Sequence, residues 1–267
     1  MIPPDNFSTI QSLYFEAADA KRFRHQTSSP YFSETEKTLL DRVQSRRGQR
    51  LLEVGCGEGG NLFFLGESEA TLFGIDLFPN KLIFARSQLS KCGFACSRAD
   101  QLPFPGECFD IVLCRDVLHH LPEREATLKE ISRVCRPGGK IIIIEPNGRN
   151  FIVRLQIFLI KAEAGIKCNS PLALQDLIRR ETGFLPVLQF RQPFPVFRMV
   201  LHYRYGFPGL GRWRVVQRLF ESLNRMAASF IPQSRWAYLI YEMEKTPAVQ
   251  GSAAKQEWKA EARTSEG

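Results

Sequence analysis

Along residues 1–50 apolar positions recur at helical spacing, and from Arg50 the pattern changes to short apolar runs alternating with amphipathic stretches. Ser33-Glu34-Thr35-Glu36 has the form of a capping box ahead of the amphipathic run 37–43, so residues 1–48 are expected to form a helical cover. Beyond it, nearly continuous apolar runs bounded by Gly, Pro, Asn or Asp predict strands at 51–54, 71–75, 94–97, 109–114 and 140–145. Helical patterns at 61–66, 80–91 and 123–135 lie between them, the last stopped by Pro137-Gly138-Gly139. Strands that are apolar on both faces and alternate with helices predict a doubly wound α/β fold with a mostly parallel sheet. Further on, the pattern predicts a helix at 150–161, a second opening at Ser170-Pro171, and strand-like runs at 184–190 and 236–243. The expected organisation is a cover (1–48), an α/β domain (49–245) with an insertion at 191–235, and a disordered polar tail (246–267).

The 267 residues are 44% hydrophobic and 24% charged, which suits a globular chain and excludes collagen-like, disulfide-scaffold and wholly disordered classes. The first residues lack a basic stretch followed by an apolar run, and no run approaches the roughly 18 apolar residues of a membrane span. A cytoplasmic protein is expected. The seven cysteines include no C-x-x-C pair, and Cys108, Cys114 and Cys135 sit in apolar runs, as reduced core thiols do; no metal site is expected.

The net charge of +8 is unevenly spread. Residues 51–148 carry 10 basic and 13 acidic groups, whereas residues 149–245 carry 15 and 6. An acidic middle and a basic C-terminal region imply two kinds of partner.

Gly55, Gly57 and Gly60 satisfy G-x-G-x-x-G between a predicted strand and a predicted helix, and Asp76 ends the next strand where a ribose-binding carboxylate belongs. That placement fits a dinucleotide or S-adenosylmethionine. A dinucleotide brings a pyrophosphate of roughly two negative charges, whereas S-adenosylmethionine brings a sulfonium and an ammonium. In open α/β sheets ligands bind beyond the carboxyl ends of the strands, which here carry Glu53, Asp76, Asp100 and Glu145, with Glu58 in the loop itself. This acidic crevice favours the cationic cofactor.

The run Leu51 to Asn61, Gly74-Ile75-Asp76-Leu77, Ala99-Asp100-Gln101-Leu102-Pro103-Phe104, Phe109 to Cys114, Asp116-Val117-Leu118-His119-His120-Leu121 and Arg136-Pro137-Gly138-Gly139-Lys140 together resemble class I S-adenosylmethionine-dependent methyltransferases, especially the ubiquinone- and menaquinone-biosynthesis type. The resemblance covers about 100 residues, with the motifs in order at the expected strand ends. It implies a seven-stranded sheet with an antiparallel last strand, so that the Arg/aromatic-rich segment becomes a helical insertion between the last two strands. It also implies Gly55, Cys56 and Gly57 as backbone contacts to the methionine part of the cofactor, with Glu53 and the Cys114 backbone near its amine. Asp76 would take the ribose, Leu77 would lie against adenine, and Asp100 with Gln101 would meet the adenine amino group.

Methyl transfer needs a base only for acceptors that lose a proton, and His119, His120 and Asp116, just past the fourth strand, are the candidates. Arg115 departs from the small polar residue usual there; pairing with Asp116 and binding an anionic acceptor both remain open. Residues 191–235 hold eight arginines, no lysine and one acid, interleaved with aromatics, and 212–230 repeats apolar residues at helical spacing. A solvated helical lid and an anionic membrane surface are both consistent with that helix, which makes a peripheral inner-membrane position the companion expectation. Neither the D/N-P-P-Y/W motif nor a Pro-Cys nucleophile occurs, which disfavours nucleic acid. The expected function is methyl transfer to oxygen or carbon of a small hydrophobic or lipid-like acceptor; nucleic-acid methylation and non-catalytic cofactor binding are the alternatives.

Overall fold

The computed structural model describes residues 16–246. Seven strands form one sheet in the order β3-β2-β1-β4-β5-β7-β6. They are β1 (Arg50–Val54), β2 (Thr71–Asp76), β3 (Gly93–Cys96), β4 (Phe109–Arg115), β5 (Cys135–Pro146), β6 (Val187–Arg191) and β7 (Tyr238–Glu244). β1 pairs in parallel with both β2 and β4, and β7 runs antiparallel between β5 and β6. This is the doubly wound, mostly parallel sheet that the pattern and the resemblance predict. Successive strands are added outward in opposite directions from β1 and β4, and the crevice beyond the carboxyl ends of these two strands is where such sheets bind ligands.

Two hydrophobic clusters cover the two faces, because the strands alternate Leu51, Leu113, Ile142 and Ile144 to one side with Leu52, Val112, Ile141 and Ile143 to the other. Helices α3 (Gly60–Leu65), α4 (Pro79–Gln88), α5 (Arg124–Val134), α6 (Phe151–Leu159) and α7 (Pro171–Thr182) flank them. Local chemistry sets several ends. The Asn150 side chain accepts from the Val153 amide at 3.1 Å, and α7 opens on Ser170 with Pro171 in its first turn and closes on left-handed Gly183.

The N-terminal segment forms α1 (Ala20–Ser28) and α2 (Pro30–Leu39). Ser33 does not start a helix: α2 begins at Pro30, whose fixed φ suits a first helical position, and Ser29 precedes it as cap residue. Glu36, freed from capping, is buried among arginines. The stop at Pro137-Gly138-Gly139 also falls elsewhere, since α5 ends at Val134 and β5 already includes those three residues. Between β6 and β7 lie α8 (Phe197–Val200), a 3-10 turn (Pro208–Arg212) and α9 (Arg214–Phe230). Phe197, Leu201 and Phe220 form a small third cluster with Tyr31 and Phe32 of α2, fastening the insertion to the cover. The expected tail lies, from residue 247 on, outside the described residues.

Candidate active site

At the end of β1 the chain turns through Gly55 and Gly57, both with positive φ. A side chain at Gly55 would sit 2.3 Å from Val117 Cγ2, so only glycine lets the loop lie against the end of β4. Four of the loop's amides are turned inward. Gly55 and Cys56 N–H both donate to the Ile75 carbonyl at 2.8 Å, Gly59 N–H donates to the Cys56 carbonyl, and Gly57 N–H donates to Asp76 Oδ2 at 2.9 Å. Asp76 Oδ1 also accepts from Phe78 N–H, so this carboxylate braces the loop and the turn after β2.

These bonds decide the sign of the ligand. A pyrophosphate needs free amide donors, and four in this loop are spent internally. What remains favours a cation. Glu53 is buried, its Oε1 accepts from Asn61 Nδ2 at 2.6 Å, and its Oε2 has no hydrogen-bond partner. Burial pushes its carboxyl up to about 8. An orphaned buried carboxyl behind a loop short of donors fits an ammonium placed over Gly55 and Cys56. The residues present therefore suit S-adenosylmethionine and not a dinucleotide.

A cavity of about 440 Å³ opens over this loop. Gly55, Cys56, Gly57, Asp76, Leu77 and Asp100 line it, and Leu77 offers an exposed apolar side chain. Both Asp100 oxygens are engaged by Arg98, at 2.8 and 2.6 Å, which fixes the carboxylate's orientation at the rim. Glu53 itself is not part of the lining, whereas Asn61, the partner of its Oε1, is. Gln101 is exposed and outside the lining, because the turn after β3 points it outward. Cys114 is also absent from the wall, since it is buried in mid-sheet opposite Val54 and Ile143; its neighbour Arg115 takes the wall position.

Past β4, Asp116 takes a left-handed φ of 55° and faces the cavity 3.3 Å from Arg115 Nε. Burial raises its carboxyl above the usual range. Arg115 donates to Asn61 Oδ1 at 2.8 Å and to Glu36 Oε2 at 2.5 Å, and Arg198 donates to Glu36 Oε1 at 2.5 Å. Glu36 thus joins the end of β4 to both the cover and the insertion, and Arg115 pairs with Asp116 and Glu36 together.

The two histidines separate. His119 Nδ1 meets Glu145 Oε2 at 2.7 Å and Nε2 meets Glu163 Oε2 at 3.0 Å. Burial opposes its charge, but the two carboxylates outweigh burial and raise it to about 10. With both nitrogens committed and no place in the cavity wall, His119 is a structural cation, which corrects the expectation that it faces an acceptor. Glu145 likewise serves structure, accepting from Val117 and Leu118 N–H, His119 and Asn169 Nδ2. His120 does line the cavity, where burial and the charge on His119 lower it to about 3. His119, His120 and Glu163 bring donor atoms within 4.8 Å of one another, but the two rings lie against each other at 3.8 Å, tilted by 48°, and the contacts form a hydrogen-bonded ion cluster rather than an open ligand set.

Sequence reasoning missed Arg22, Glu36, Lys81, Glu163, Arg198 and Tyr238 in the cavity wall. Glu36 had a competing helix-cap explanation, and Arg198 was visible only as one of eight insertion arginines. Val153, Ile160 and Ile166 add apolar positions to the lining, with Gln156 and Glu163 of the same stretch of chain among them.

Residues 52–143 match the methyltransferase domain family. The chain is 30% identical over 145 residues to phosphoethanolamine N-methyltransferase 1 of Zea mays, covering 51% of this chain and 29% of that protein. It is 38% identical over 106 residues to a fatty-acid O-methyltransferase of Mycolicibacterium smegmatis, covering 38% of this chain and 39% of the relative. The chain thus spans about a third of the length of these relatives. Among solved structures, a phosphoethanolamine methyltransferase of Haemonchus contortus in complex with phosphomonomethylethanolamine and S-adenosylhomocysteine superposes with a TM-score of 0.60 at 17% identity, covering 90% of this chain and 60% of that one. The [4+2]-cyclase SpnF has the same fold, with a TM-score of 0.54 at 20% identity over 80% of this chain and 82% of its own. Fold alone does not set the chemistry.

Proposed function

The chain carries a methyltransferase domain of the class I S-adenosylmethionine-dependent family, and from that premise we propose that it methylates a small lipid-like acceptor. The observation that carries this reading is that one cavity runs from the glycine loop and Asp76 to the apolar side chains of Val153, Ile160 and Ile166. A cofactor seated on the loop would direct an amphiphile's polar end to Asp116 and His120 and its apolar part to those three side chains. The relatives that act on fatty acids and on phosphoethanolamine are consistent with such an acceptor.

When bound, the cofactor supplies an activated methyl on a positive sulfur, so alignment contributes most of the acceleration. The protein's own part is to hold the acceptor in line, exclude water and, for an acceptor that loses a proton, receive it. Asp116, its carboxyl raised by burial, is a better base near neutrality than His120, which burial and His119 leave a weak one.

The acceptor's source is proposed to be an anionic membrane surface. Helix α9 exposes Val215, Leu219, Met226 and Phe230 on one face. Arg214, Arg218 and Arg225 each precede one of the first three by one residue and so form a row about 100° away around the helix. Helix α6, whose inner side walls the cavity at Val153, exposes Phe151 and Phe158 on its outer side. No helix among the described residues is long and apolar enough to cross a membrane, so the contact would be peripheral.

The test is to incubate the protein with methyl-labelled S-adenosylmethionine and a cell extract and to partition the label. Label in the organic phase is expected. Label in RNA would overturn the acceptor class. Vesicles containing phosphatidylglycerol should co-sediment the protein at low salt and release it at high salt; no binding at low salt would remove the membrane source.

A further inference from the structure

Helix α1 is laid directly over the glycine loop. Asp19 N–H donates to Glu58 Oε1 at 3.0 Å, and Gln26 lies so close that a Cβ at Gly60 would come within 2.2 Å of its Oε1. Within α1, Asp19 caps the first turn by accepting from the Lys21 and Arg22 amides. The cap holds Arg22 one turn into the helix, and its side chain lines the cavity.

Among the described residues the other arginines of this wall are spoken for. Arg98 is clamped on Asp100, and Arg115 and Arg198 share Glu36. Lys81 lies 3.8 Å from Glu58. The Arg22 guanidinium forms neither a side-chain hydrogen bond nor an ion pair with any described residue, although Glu58 and, more weakly, Glu163 and Asp116 attract it. An arginine on a helix pinned to the cofactor loop, aimed into the cavity and without a bonded acid, is a cation arranged for an anion that arrives with a ligand.

The cofactor proposed above carries one anionic group, the carboxylate of its amino-acid end. That end is expected over Gly55 and Cys56, where the orphaned Glu53 oxygen awaits the ammonium. The carboxylate is bonded to the same carbon and needs a cation on the opposite side, and α1 lies over the loop there. We propose that Arg22 is the residue that binds the carboxylate of the cofactor's methionine portion, so that the amino-acid end is held between Glu53 beneath and Arg22 above. The inference rests on the S-adenosylmethionine reading. One consequence is that the cover contributes to the cofactor site, and the methyl group would be presented to an acceptor only with α1 in place.

The test compares two ligands by calorimetry. S-adenosylhomocysteine has the amino-acid end, and 5′-methylthioadenosine keeps the nucleoside and sulfur without it. Arg22→Gln is expected to weaken S-adenosylhomocysteine at least tenfold and to leave 5′-methylthioadenosine within twofold, with Arg22→Lys recovering part of the loss. Equal losses for both ligands would mean that Arg22 only supports the fold of the cover, and no loss for either would place the carboxylate elsewhere; each result overturns the proposal. If the unaltered protein binds neither ligand, the cofactor reading itself fails, which is a distinct outcome. Thermal unfolding of both variants without ligand, expected within about 2 °C of the parent, guards against misfolding.

Discussion

On the β1–β2 side of the cavity the polar contacts are short in sequence. Gly57 reaches Asp76 across 19 residues, Asn61 reaches Glu53 across 8, and Phe78 reaches Asp76 across 2. On the acceptor side, Glu36 reaches Arg115 across 79 residues and Arg198 across 162, and Asp19 reaches Arg204 across 185. The first side is fixed as soon as β1 and β2 pair. The second needs the cover, the end of β4 and the insertion to meet, and it is held by charges whose burial is costly unless all partners arrive. A cofactor floor built locally and an acceptor roof built at long range differ in how they should respond to mutation.

The largest expected effect lies on the roof. Glu36→Ala leaves two buried guanidinium groups facing each other with Asp116 alone beside Arg115, and should lower stability by about 3 kcal/mol or more in denaturant unfolding. Loss of the roof's packing with preserved binding of 5′-methylthioadenosine, which does not reach Arg22, in the folded fraction would sharpen the comparison. An unchanged midpoint would break it.

On the floor, Asp76→Ala removes the bonds to Gly57 and Phe78 N–H together with the proposed ribose contact. Cofactor affinity should fall at least tenfold, in keeping with a charge-assisted bond of about 1.5–3 kcal/mol. Unchanged affinity by calorimetry would refute the ribose assignment.

Glu53 gives a pH test of smaller size. With its carboxyl near 8 in the free protein, it is largely protonated at pH 7, and an arriving ammonium should expel that proton. Titrations at pH 7 in buffers of different ionisation enthalpy should report close to one proton released, falling toward none above pH 9. Glu53→Gln should abolish the release. The same raised value means that Glu53 opposes folding increasingly as pH rises from about 4.5 to 8, so the glutamine variant should melt higher at neutral pH without ligand.

The smallest effect is expected at the rim, where Arg204 reaches Asp19 with nearly half its side chain exposed. Arg204→Ala should cost no more than about 1 kcal/mol, and less in high salt. A larger, salt-insensitive loss would show the rim to be as tightly built as the centre.

The floor was legible in the sequence for the reason that it is local. The glycine spacing, the acid at the end of the next strand and the apolar runs mark Gly55, Gly57 and Asp76 and the sheet that carries them. Glu53 was legible by charge, but its orphaned oxygen was not, because that depends on which side chain Asn61 meets. The roof was mostly hidden. Ser33 and Glu36 read as a helix cap, since nothing in the local pattern reveals that Arg115 and Arg198 converge on Glu36. His119 and His120 are neighbours of identical chemistry, and only the positions of Glu145, Glu163 and Asn169 turn one into the core and leave the other on the cavity.

The most direct test of the account is a calorimetric comparison of S-adenosylhomocysteine with NAD in the unaltered protein. A loop with four of its amides spent internally, backed by an unpaired carboxyl, should bind S-adenosylhomocysteine at micromolar or tighter concentration and show no saturable heat with NAD. Saturable NAD binding, with S-adenosylhomocysteine bound weakly or not at all, would contradict the reading of the site.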